Sequence, residues 1–165
     1  MPASAIGKLR TYVQTPRDVS LLIRMGLWST ALHALKYAAP LPLLVRLMRL
    51  PPSGTNKTPG DADRAREKIA TLARWACRAT QWSRRGRCLE QGLVTYRYLS
   101  QLNAEPYLMV GVRSEDGARG SRGHAWVEAG GRVIGEDGES VAPFTRVFAF
   151  DPNGDLFRDN PVAAR

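Results

Sequence analysis

Apolar positions recur at intervals of three and four through the first fifty residues, the spacing of helices with one buried face. Thr15-Pro16-Arg17-Asp18 carries a start signal, with a capping hydroxyl, a proline suited to the first helical position and an acid at the positive end of the dipole. A helix is therefore expected from Pro16 to about Ala38, with Val19, Leu22, Ile23, Leu27, Ala31, Ala34 and Leu35 as its buried stripe. Pro40 and Pro42 interrupt it, and Leu43 to Leu50 predicts a second, shorter helix. From Pro51 to Gly60 the chain is rich in Pro, Gly, Ser and Thr and has no period, which predicts a linker. Helical spacing resumes from Asp61 to Gln81, with Ala65, Ile69, Leu72, Ala76 and Cys77 inward and Arg64, Arg66, Lys68, Arg74 and Arg78 outward. A polar break, Ser83 to Arg87, ends that helix. Cys88 then opens another apolar period through Leu89, Leu93, Tyr96, Leu99 and Leu102.

Beyond Glu105 the pattern changes to that of strands. Tyr107 to Val112 predicts the first, His124 to Glu128 the second and Arg132 to Ile134 the third, with Ala129-Gly130-Gly131 as a hairpin turn. Ser114 to Gly123 is polar and Gly-rich and predicts a loop, Phe144 to Phe150 predicts a last strand, and the tail from Asp151 is expected to be loosely ordered. The resulting expectation is an α+β fold with a helical N-terminal extension over 1–52, a linker over 53–60 and a core domain over 61–165.

Composition narrows the partners more than the fold. The chain has 165 residues, 44% of them hydrophobic, enough for one domain with a proper core. Lys and Arg outnumber Asp and Glu by 24 to 15, and the formal charge of +9 favours an acidic peptide or protein. Nucleic acid is not expected, because the basic residues are spread along the chain without interleaved aromatics. Arg24, Lys36, Pro40, Pro42, Arg46 and Arg49 break the apolar region from Val19 to Leu50, so no integral membrane segment is expected. MPASAIGKLR lacks the features of a secretory signal, and two cysteines are too few for a disulfide framework or a four-thiolate zinc site. A cytoplasmic, reducing location without a cofactor is the resulting expectation.

Candidate chemistry lies at Cys88 and His124. A cysteine at a helix start meets free amides and the positive end of the dipole, which favour the thiolate, and Arg85 and Arg87 act in the same direction. His124, inside a strand, supplies a base. On the residues alone, a capping or core role for Cys88 stands beside that of a nucleophile. Cys77, on an apolar helix face, is expected to be a small buried residue, and His33 a surface or dipole-facing one. Trp126 and Glu128 share a strand face with His124: the first would shield the imidazole or pack in the core, and the second would pair with an arginine. The backbone amide of Cys88 is the expected oxyanion donor, with the Gln81 side chain as a candidate second.

A cysteine on a helix, a histidine on the next strand and an acid on the neighbouring strand resemble the papain-like, transglutaminase-like core. Cys88-Leu89-Glu90-Gln91-Gly92-Leu93, Tyr107 to Val112, His124-Ala125-Trp126-Val127-Glu128 and Gly131-Arg132-Val133-Ile134 together resemble the B-type leader peptidases of lasso peptide biosynthesis, over roughly Asp61 to Phe150. The Pro-interrupted N-terminal helices resemble the split members of that family, in which leader recognition belongs to a separate protein. The resemblance implies a cysteine protease with a Cys-His-Asp triad that removes the leader from a ribosomally made precursor peptide. A leader-recognition protein would deliver the precursor, and an ATP-dependent macrolactam cyclase would act afterwards. Asp137 is placed first as the acid, on spacing and on the family's use of aspartate, ahead of Glu136 and, distantly, Asp151. The alternatives are an acyltransferase using the same three residues on a thioester, and an inactive binding domain of the same fold.

Overall fold

The computed structural model describes residues 12–52, 59–80, 87–114 and 121–157. Helix α1 spans Pro16–Ala38 and opens on a capping box: Thr15 Oγ1 accepts from the Asp18 amide at 3.3 Å, and Asp18 Oδ2 accepts from the Thr15 amide at 3.1 Å. Helix α2 covers Leu41–Met48, α3 Pro59–Thr80 and α4 Arg87–Gln101. Pro59 and Gly60, expected in the linker, already belong to α3, whereas 53–58 lie outside the described residues.

The buried face of α1 is not the expected stripe. Val19, Ile23 and Leu27 are 45%, 59% and 67% exposed, whereas Asp18, Met25, Ser29 and Leu32 are buried. Two polar residues on the true face misdirect the reading, since hydropathy does not register a polar group whose partners lie on another helix. Asp18 accepts from Lys68 Nζ at 2.6 Å, and Ser29 from Thr80 Oγ1 at 3.0 Å. Lys68 and Thr80 both belong to α3, so α1 is oriented by polar contacts as well as by Met25 and Leu32.

The helices expected to form an N-terminal extension share one hydrophobic core with the rest of the chain. Met25 and Leu32 of α1 and Leu44, Val45 and Met48 of α2 lie in the same cluster as Leu72, Leu93, Leu99, Leu108 and Phe150. Helix α4 runs through its middle and is buried nearly all round, including Leu93, Val94, Tyr96, Tyr98 and Leu99. A helix so enclosed is held by packing on every side, which fixes the position of Cys88 at its start.

Strands β1 (Tyr107–Ser114), β2 (Ser121–Ala129), β3 (Arg132–Val133), β4 (Thr145–Phe150) and β5 (Leu156–Phe157) form an antiparallel sheet in the order β3-β2-β1-β4-β5. A short helix, α5 (Gly138–Val141), lies between β3 and β4. Alternation along β1 and β2 sends Leu108 and Val127 into the core around α4, and Met109 and Trp126 into a second cluster with Val141 and Ala149. Gly130 and Gly131 close the β2–β3 hairpin with φ of 61° and 73°. The tail is more ordered than expected as far as Phe157. The Asp151 carboxylate accepts from the amides of Asn153 and Asp155 at 2.9 and 2.8 Å, a turn that returns the chain to pair β5 with β4. Asp151 is thus occupied in a turn.

Candidate active site

Helix α4 brings Cys88 to the sheet because Gly92, one turn further along, leaves room for close approach. A Cβ there would stand 3.0 Å from Leu108 and 3.9 Å from the Ala125 carbonyl oxygen. The short β3 pairs only with Glu128 and Ala129, and Ile134 adds one further bond to the Val127 carbonyl. The edge of β2 nearer His124 is thereby left to the start of α4. There the Cys88 thiol takes hydrogen bonds from the His124 side chain and from the amides of Ala125 and Leu89.

These bonds set the proton balance. Burial alone would raise the Cys88 thiol, but the His124 bond and the two amides outweigh it and hold the thiol below its ordinary value. Cys88 in turn raises His124 to about 9; its bond to Glu136 adds to this and burial opposes it. Cys88 and His124 consequently favour a thiolate–imidazolium pair. Cys77 shows what the surroundings of Cys88 contribute. It is fully buried on α3, and burial drives its thiol up to about 11 despite a bond with Ser29.

The carboxylate paired with the histidine is Glu136, not Asp137. His124 Nε2 donates to Glu136 Oε2 at 2.8 Å, with the side chains 18% and 21% exposed. This leaves Nδ1 as the ring nitrogen for Cys88. Asp137 instead caps α5, accepting from the Glu139 amide at 3.3 Å. Gly135 makes the difference: its φ of 76° turns the chain at the end of β3, and a Cβ there would stand 2.5 Å from that of Ala70. Asp137 followed by Gly138-Glu139-Ser140 is a local hint of a helix cap, but the turn at Gly135 is what brings Glu136 to the histidine.

Around the imidazole the sheet supplies an aromatic wall. Trp126 stacks against His124 at a centroid separation of 5.9 Å, and Phe144, expected only as the start of a strand, lies at 4.9 Å. Trp126 is buried and both shields the ring and packs in the second core cluster. Glu128 pairs with an arginine as expected: its Oε1 accepts from Arg146 Nη2 at 2.6 Å and from Trp126 Nε1 at 2.9 Å. A Cβ on Gly111 would stand 3.0 Å from the Trp126 ring and 2.9 Å from the Thr145 carbonyl oxygen, so only glycine fits beneath the indole.

Two residues below Cys88, Glu90 is fully buried in α4 and its Oε1 meets Lys36 Nζ at 2.8 Å and His33 Nδ1 at 3.0 Å. His33 is therefore not simply a surface residue: its side chain is 45% exposed, yet it helps to tie α1 to the helix that carries Cys88. Gln81 and Arg85 lie outside the described residues. Among the described residues, no three or more His, Cys, Asp or Glu are grouped to hold a metal ion, and no helix is long and apolar enough to cross a membrane.

A thiol at a helix start, a strand histidine and a carboxylate meet on an α+β core. The chain belongs to the transglutaminase-like superfamily, whose family model matches residues 28–149. That match begins within α1 and runs through both clusters and the Cys88–His124 pair. No curated protein and no solved structure matches the chain.

Proposed function

We propose that this protein is a cysteine peptidase that removes the leader from a ribosomally made lasso precursor peptide. The observation that carries the thiol chemistry is the line Cys88–His124–Glu136, with the thiol favoured as thiolate and the histidine as imidazolium. The Cys88 thiolate attacks the scissile carbonyl carbon while His124 Nδ1 gives its proton to the leaving amine, so the C–N bond breaks and an acyl thioester remains. Neutral His124 then takes a proton from water, whose oxygen attacks the thioester and releases the acid and the thiol. Glu136 keeps the ring oriented and stabilises its charged form. The amide of Cys88, at the free end of α4, serves the oxyanion.

The lasso assignment rests on the motif resemblance around Cys88, His124 and the intervening strand. It requires a separate leader-recognition protein to present the precursor, and an ATP-dependent macrolactam cyclase to use the freed core. An acyltransferase of the same fold would pass the acyl group to an amine instead of water. Mass spectrometry of a lasso precursor incubated with the protein and its leader-recognition partner separates these outcomes. Cleavage at one bond, lost in Cys88→Ala, is expected. Precursor left intact by both forms would sink the peptidase assignment, and an amine adduct in place of the free acid would make the protein a transferase.

A further inference from the structure

The stripe expected to be buried on α1 is an open surface. Val19, Ile23 and Leu27 recur at every fourth position of the helix and are exposed. Ile23 and Leu27, with Trp75 of α3, wall an apolar groove of about 380 Å³ between the two helices. Two small residues, Gly26 and Ala76, also line it, and a Cβ on Gly26 would stand 3.5 Å from the Thr80 methyl group. An apolar channel between two helices suits the side-chain ridge of a third, whereas a lipid surface takes apolar side chains that project from a helix.

Charge narrows the occupant further. From Val19 to Thr30 the only charged residue is Arg24, and from Ile69 to Thr80 the only ones are Arg74 and Arg78. Arg24 and Arg78 are exposed. Arg24 also lies beside Tyr98, whose phenol is raised by burial and stays neutral, so the arginine keeps its charge. Two copies of the chain meeting groove to groove would set these cations against one another, which opposes self-association.

We propose that the α1–α3 groove docks an amphipathic helix of another protein, its apolar ridge seated between Ile23, Leu27 and Trp75 and its flanking Asp or Glu residues turned towards Arg24 and Arg78. The occupant is recognised by shape through the groove and by sign through the two arginines. This docking is independent of the chemistry at Cys88.

Two fluorescent peptides of about five helical turns test it, sharing a leucine ridge at helical spacing and differing only in Glu or Lys flanks. Binding to the full chain is read by fluorescence anisotropy at neutral pH and low salt. The Glu-flanked peptide should bind about tenfold more tightly than the Lys-flanked one, and salt should narrow the gap. Arg24→Gln and Arg78→Gln should each weaken the Glu-flanked peptide about twofold to threefold. Ile23→Asp, at an exposed position, should abolish binding with the urea midpoint kept, and Ile23→Leu should retain it. No binding of the Glu-flanked peptide at about 100 μM, equal binding of both peptides, or binding undiminished in Ile23→Asp overturns the proposal. So does a dimer in sedimentation that Ile23→Asp splits, which gives the groove to a second copy. Flotation with phosphatidylglycerol vesicles that Ile23→Asp abolishes overturns it in favour of a membrane surface.

Discussion

Replacing Glu136 with Gln isolates the charge of the third group while preserving its shape. The amide oxygen can still accept from His124 Nε2 over the 2.8 Å contact, so the ring keeps its orientation and loses only the adjacent negative charge. Hydrogen bonds to charged groups contribute roughly 1.5–3 kcal/mol and neutral ones roughly 0.5–1.5 kcal/mol, a difference of about 1–1.5 kcal/mol here. That amounts to about one pH unit, since one unit corresponds to about 1.4 kcal/mol. The sign follows from the pairing. Without Glu136 the imidazolium is less favoured, His124 falls from about 9, and the Cys88 thiolate it stabilises forms only at higher pH. The acid limb of the iodoacetamide rate at Cys88 should therefore move up by about one unit, with about a tenfold loss of rate well below the limb. Asp137→Asn, changed at a helix cap, should leave the limb in place. Coincident limbs for Glu136→Gln and wild type, with the shift in Asp137→Asn instead, would refute the assignment of the pair.

Other expectations follow from the same contacts. Peptide mapping after brief iodoacetamide treatment should show Cys88 labelled well before Cys77, whose buried thiol lies near 11; equal, slow labelling of both would count against an activated thiolate. Peptidase turnover should decline as pH rises through about 9, because imidazolium, raised by Cys88 and Glu136, must give a proton to the leaving amine; a rate still climbing above that pH would contradict this role. Gly135→Ala should lower stability by about 2–4 kcal/mol in urea unfolding, since the new Cβ meets Ala70 and the residue sits at positive φ. Lys36→Met should cost about 3–5 kcal/mol by leaving the fully buried Glu90 without its ammonium partner, and adding Glu90→Gln should recover much of it; an unchanged midpoint would show that the pair carries no net stabilisation.

The four long helices and the first four strands were legible because each rests on local rules. The Thr15 cap, the α3 and α4 periods and the Gly130-Gly131 turn all act within a few residues of sequence. The Cys88 position was legible for the same reason, since a break followed by an apolar period marks a helix start whatever surrounds it. The face that α1 buries was not, because Asp18 and Ser29 are satisfied by Lys68 and Thr80 on another helix. Nor was the charge cluster of Glu90, Lys36 and His33, since Glu90 lies more than fifty residues from the other two.

By itself the sequence determined the four long helices, the first four strands and the α+β class, because period, capping and turn chemistry are local. Tertiary structure decided which carboxylate reaches the histidine. Gly135 turns the strand end at a positive φ, where an added Cβ would meet Ala70, and Asp137 is drawn into a cap. It also decided that the Cys77 thiol is raised by burial while that of Cys88 is held below its ordinary value. The sequence placed Cys88 at a helix start and Cys77 on an apolar face; the structure adds the depth of burial of Cys77 and the amides and imidazole that reach Cys88.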